Sequence, residues 1–172
     1  MSNFKPIKIR DQNLISFKVF DDWKTEFNLD SIDESRDVAI VFLSRGESLP
    51  DPKVIRKNFD PFLSVLFGYK GEKPLQRLVN SIDENGLVNV DLADLKNLIE
   101  GGFGFIRYKS CSELIDSSRW DRGMLDIFVN RKLTIVELEK IIGDFLDLKE
   151  FIWGLKVNNV ENPKALSIMI KD

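Results

Sequence analysis

Histidine is absent from the 172 residues of this chain, and that absence removes a large share of ordinary enzyme chemistry. Imidazole is the side chain whose unperturbed pKa lies nearest neutrality, and it is the usual general base. Ser-His-Asp and Cys-His machinery is therefore excluded outright. Cysteine is nearly absent as well: Cys111 stands alone, so no intramolecular disulfide can form and a reducing compartment is expected. One thiol without imidazole also excludes a zinc site of the Cys/His kind. Carboxylate, lysine, tyrosine, serine and backbone chemistry remain, and no cofactor or metal is expected.

Long apolar runs are missing too. No segment approaches the roughly 18 uninterrupted apolar residues of a membrane span, and the opening Met1-Ser2-Asn3-Phe4-Lys5-Pro6 has no signal-peptide core. The expected location is cytoplasmic. Alanine occurs only at Ala39, Ala93 and Ala165, a bias of AT-rich coding found in many viruses and some bacteria; for a viral protein the location becomes the host cytoplasm. Excess charge of one sign is lacking, since 25 basic and 28 acidic residues give a net charge of -3. With the signs interspersed, broad phosphate binding is not favoured.

What is present is enough for a folded core. Apolar residues make up 43%, charged residues 31%, and there are 13 Phe, a composition far from that of disordered chains. The length predicts one domain over residues 1–172. No repeat, low-complexity tract or linker divides it.

Ile7 and Ile9, then Ile15, Phe17 and Val19, alternate with polar residues across Asp11-Gln12-Asn13, the pattern of a β-hairpin with one wet face. A short polar helix is expected around Asp22–Phe27. Val38–Leu43 is apolar on both faces, as in a central buried strand. Asp51-Pro52 and Asp60-Pro61 each predict a helix start. Pro74 opens a helix with Leu75, Leu78, Val79 and Ile82 on one face, which Asn85-Gly86 ends. Asp91 caps the next, and Gly101-Gly102 stops it. Phe103–Tyr108, Met124–Val129, Phe151–Val157 and Ala165–Ile170 read as strands. Ser110 with Glu113, and Thr134 with Glu137, form capping boxes, the first for a helix through Ile115. Strands and helices mix without strict βαβ alternation. The predicted fold class is α+β, a single domain with a mostly antiparallel or mixed sheet packed with several short helices.

Motifs that mimic chemistry resolve into structure. Gly101-Gly102-Phe103-Gly104-Phe105 is glycine-rich, but it precedes a strand and lacks the Lys-Ser/Thr of a phosphate loop. It reads as a helix stop, with Gly104 marking a bulge or a close backbone approach. Around Asp83-Glu84-Asn85-Gly86, a calcium loop would place Leu92 where the closing carboxylate belongs. Cys111 lacks the Cys-x5-Arg spacing of cysteine phosphatases, because Ser117 stands there, and it is expected to be inert. Carboxylate pairs such as Asp21/Asp22 and Asp144/Asp147 read as solvated.

Three surfaces remain. The expected Asp60-Pro61 helix is apolar all round, so it is either core or a surface covered by a partner; Phe62, Leu66 and Phe67 are its candidate contacts. Arg119, Trp120 and Arg122 form a polar, turn-prone segment of the composition that binding hot spots favour. Lys5, Lys8, Arg10 and Lys18 form a modest basic strip without stacking aromatics. These features predict a non-enzymatic protein-binding module: an inhibitor or immunity-like protein, or a self-assembling viral structural or accessory protein. A protein partner or self-association is expected. A nucleic-acid-binding protein and a small carboxylate-dependent enzyme are the alternatives.

Overall fold

In the computed structural model the described residues are 3–4, 16–20, 37–44, 46–48, 64–83, 86–113, 119–130, 133–158 and 160–172. The order of elements is β1 (Asn3–Phe4), β2 (Ser16–Phe20), β3 (Asp37–Leu43), β4 (Ser64–Tyr69), α1 (Pro74–Asp83), α2 (Leu92–Ile99), β5 (Phe103–Ser110), β6 (Arg122–Val129), α3 (Ile135–Ile142), β7 (Glu150–Val157) and β8 (Lys164–Lys171). The eight strands among the described residues join one sheet in the order β1-β2-β3-β4-β5-β8-β6-β7.

The pairing directions correct the predicted fold class. β2, β3, β4 and β5 run parallel in succession. β8 is antiparallel to both β5 and β6, and β6 is parallel to β7. The sheet is mixed, as expected, but it is longer and more parallel than an α+β reading allows, and the architecture is α/β. The cause lies largely in Ser64–Tyr69. A short run apolar on every side has no period that separates a buried strand from a buried helix. Its sequence pattern predicts a helix opened by Asp60-Pro61; it is the strand β4, flanked on both sides by parallel neighbours. Leu66 and Phe67 are fully buried there, which places them in the core and not on a partner surface.

Alternation along the strands builds two faces. On one, Val38, Ile40, Leu66, Ile106, Met124, Phe128, Leu166 and Ile168 pack with Leu78 of α1 and Leu95, Leu98 and Ile99 of α2. On the other, Ala39, Val41, Val65, Phe67 and Phe103 form one cluster, while Leu125, Ile127, Ala165 and Met169 form a second that α3 lines through Leu138, Ile141 and Ile142. Fully burying each such side chain contributes about 1.5–3 kcal/mol. β3 and β4 have no polar face because both of their faces are covered.

Local signals account for the helices. Asp91 caps α2, its carboxylate accepting from the Ala93 amide at 2.7 Å. Thr134 and Glu137 form the reciprocal capping box of α3, at 3.2 and 3.1 Å. Gly101 ends α2 with φ +69°. Ser110 differs from expectation: it closes β5, and a 3-10 turn follows over Cys111–Glu113, while the rest of the expected helix, at Leu114 and Ile115, lies outside the described residues. β2 does have an antiparallel neighbour, but within the described residues it is Asn3–Phe4. The expected Ile7–Arg10 arm, the Asp22–Phe27 helix and the Asp51-Pro52 helix lie outside the described residues. No helix among the described residues is long and apolar enough to cross a membrane.

Candidate functional site

Between α1 and α2 the chain crosses to the free edge of β7. Val88 forms an isolated antiparallel bridge with Leu155. The amides of Leu87 and Val88 donate to the Leu155 carbonyl at 2.8 and 3.2 Å, and the Leu155 amide returns a bond to the Val88 carbonyl at 2.8 Å. The Gly86 amide donates to Asn89 Oδ1 at 2.7 Å. This pinning makes side chains alternate: Val90 points into the core, while Leu87 is 71% exposed. Asn89, Asp91 and Asp94 are exposed as well. The two carboxylates sit at the first turn of α2, where the helix dipole favours negative charge. The segment thus displays one apolar side chain, one amide and two carboxylates on a backbone that is tied down.

Directly beneath lies a buried charge network. Asp126 of β6 is 0% exposed, Lys156 of β7 2% and Ser81 of α1 1%. Lys156 Nζ donates to Asp126 Oδ2 at 2.5 Å, and the Ser81 hydroxyl donates to the same oxygen. Lys156 Nζ also lies 5.8 Å from the centre of the Phe128 ring. The backbone presses close from above. A Cβ at Gly86 would stand 2.5 Å from the Leu155 carbonyl oxygen and 2.6 Å from Lys156 Cγ. One at Gly154 would stand 2.6 Å from Asp126 Oδ1 and 3.0 Å from the Val88 carbonyl oxygen. Only glycine lets the segment and the ion pair come this near.

A second polar cluster lies at the carboxyl end of β4, the side on which open α/β sheets commonly bind ligands. There Arg107 is engaged by the protein itself. It makes a forked pair with Glu72 at 2.8 to 3.1 Å, and its guanidinium lies over the rings of Tyr69 and Phe105 at 4.7 and 4.9 Å. Glu72 also accepts from the Tyr108 amide. This is a closed structural clamp that ties the turn after β4 to β5.

The other expected contact residues separate. Phe62 lies outside the described residues. Arg119 is exposed, and its carbonyl accepts from Lys171 Nζ at 3.3 Å. Trp120 is half-buried against both clusters of the second face. Arg122 is engaged: it pairs with Asp172 at 2.7 Å and donates to the carbonyls of Asn97 and Glu100 at the end of α2.

Ser81, Asp126 and Lys156 were not singled out from the sequence, although a signal was there. A lone acid interrupts the apolar run Met124–Val129 and a lone base interrupts Phe151–Val157. Opposite charges inside two strand-like runs indicate a cross-strand buried pair.

Cys111 is half-buried, and burial pushes its thiol up to about 11. At pH 8 only about a thousandth of it is thiolate, the reactive form. Alkylation by iodoacetamide at pH 8 should therefore be far slower in the folded protein than in urea, and should quicken as pH rises towards 11. A folded-state rate equal to the unfolded one would contradict the burial.

No family model and no curated protein matches the chain. Solved structures do match its fold. An FtsZ dimer from M. jannaschii aligns with a TM-score of 0.51 and 17% identity, over 78% of this chain and 54% of that one. A point mutant of M. jannaschii FtsZ aligns at 0.50 with 19% identity, over 81% and 48%. CetZ from Methanosaeta thermophila aligns at 0.50 with 15% identity, over 77% and 51%. The fold is FtsZ-like. At these identities the likeness is one of architecture, and the chain spans about half the length of the structures it matches. It nevertheless overturns the expectation of a non-enzymatic inhibitor, immunity or viral module, because the solved structures that share this architecture are FtsZ and CetZ. The expectation that the chain is not an enzyme falls on the same ground.

Proposed function

We propose that this chain is a cytoplasmic, FtsZ-like assembly module whose partner is another copy of the same fold, and that its association is linked to GTP. The observation that carries this reading is the likeness of its mixed sheet to FtsZ and CetZ over about four-fifths of the chain. The exposed segment from Leu87 to Asp94 supports it. An apolar side chain ringed by an amide and carboxylates, on a backbone already ordered, binds with little entropic loss on contact. With histidine absent, Asp91 and Asp94 are also the exposed groups at this segment able to serve hydrolytic chemistry. Arg119, exposed beside the half-buried Trp120, is a second contact candidate.

Sedimentation velocity and light scattering on the purified chain, with and without GTP and magnesium, test the reading. Concentration-dependent oligomers that grow with GTP are the expected result. Asp91→Asn with Asp94→Asn keeps a capping side chain on α2, since Asn caps as well as Asp, and removes only the charge. This variant should stay folded and associate at least about tenfold more weakly, or about 1.4 kcal/mol. A chain that stays monomeric at every concentration, with GTP or without it, would sink the proposal.

A further inference from the structure

The buried network under the displayed segment has a role that stability does not explain. A buried ion pair is a poor stabiliser, because withdrawing two charges from water offsets most of their attraction, and apolar residues of similar size often serve the fold as well or better. What such a pair supplies is selectivity of position, since each charge tolerates only one arrangement of its partner. Here three elements converge on one carboxylate: Asp126 on β6, Lys156 on β7 and the Ser81 hydroxyl on α1. α1 is the element that leads into the displayed segment, and β7 is the strand on which that segment is pinned.

We propose that Ser81, Asp126 and Lys156 are positioning residues that fix the end of α1 over β6 and β7 and so hold the segment from Gly86 to Asp94 in its displayed posture. The steric facts fit this division of labour. Gly86 lies on the stem of Lys156, and Gly154 lies between Asp126 and the Val88 carbonyl. The segment and the ion pair share one close-packed contact, with no room for either to shift alone. Lys156 is buried, its ammonium anchored at Asp126 near the Phe128 ring. If the hydroxyl of Ser81 lost its acceptor, α1 would keep its apolar contact through Leu78 but lose the polar bond that sets its last turn.

The inference rests on reading the segment as the contact surface, yet its test is independent of assembly. Hydrogen exchange is measured on the full chain carrying Asp126→Leu with Lys156→Met, and separately on Ser81→Ala. The amides of Leu87, Val88 and Leu155 should exchange at least about tenfold faster in the double variant, and measurably faster in Ser81→Ala, while those of β5 and β8 keep their protection, as local opening requires. Should the double variant fail to fold, Ser81→Ala alone decides, because it leaves the ion pair in place. Unchanged exchange at Leu87 and Val88, or equal acceleration through the whole sheet, overturns the proposal. If those amides loosen as expected in a parent that never assembles, the positioning role stands and the assembly reading falls.

Discussion

Gly104→Ala should leave the chain unable to hold its native sheet. Gly104 sits in β5, between β4 and β8, paired with Leu66 on one side and Ile170 on the other. A Cβ built there would fall inside the van der Waals shell of the Met169 carbonyl oxygen and 2.9 Å from Ile170 Cδ1. The obstacle is backbone, not the end of a flexible side chain, so relief requires moving β8 away from β5. Those two strands pair over eight successive positions, from Phe103 with Lys171 to Ser110 with Lys164, and the same shift would loosen β8 from β6. We expect a loss of about 4 kcal/mol or more, above the roughly 1–3 kcal/mol usual for overpacking, because here the backbone itself must move. The control is Gly143→Ala at the end of α3, where the backbone is right-handed helical and nothing lies within 4 Å of the added carbon. That change should be neutral or raise stability by about 0.4–1 kcal/mol. Denaturant unfolding followed by circular dichroism compares the two, and equal midpoints would show that β5 and β8 are not packed as described.

The contrast between Gly104 and β4 shows what a sequence of this kind discloses. Gly104 was legible because a glycine inside a strand-like run has few explanations, and close backbone approach is one of them. α1, α2 and α3 were legible because capping residues and a helical period coincide, as at Asp91 and Thr134. β4 was not, because burial on both faces erases the period by which strands are recognised, and the Asp-Pro pair just upstream suggested a helix over residues that form the strand Ser64–Tyr69. The direction of pairing was illegible for a different reason. It is decided by crossovers between distant segments, and no residue in β2, β3 or β4 records which neighbour it will meet. The candidate site lay between these extremes. Asn85-Gly86 and Asp91 announced a turn and a cap, but that the turn rests on Lys156 depends on β7 lying beside β6, a contact between residues far apart in sequence. Asp126 and Lys156 could have been paired by sign alone; Ser81 could not, since a serine on an amphipathic helix is ordinarily solvated.

Lys156→Ala should cost about 3–5 kcal/mol, because it strands a carboxylate that has no water to turn to. Asp126 is wholly buried and the ammonium lies 2.5 Å from its Oδ2, so the Ser81 hydroxyl would remain there to answer a full negative charge. Asp126→Ala should be comparably harmful, leaving an ammonium buried beside Phe128. The double change, Asp126→Leu with Lys156→Met, should recover most of the loss and come within about 1–2 kcal/mol of the parent, since it removes both desolvation penalties along with the attraction. The double-mutant cycle therefore separates two accounts of the same pair. If the ion pair existed to stabilise the fold, the double variant would be as poor as either single one. If it exists to choose a position for α1 and the segment beyond it, stability returns without the charges while the order of Leu87 and Val88 does not. Urea midpoints for the parent, both single variants and the double one supply the first comparison, and a double variant that unfolds as readily as Lys156→Ala would refute the positional account.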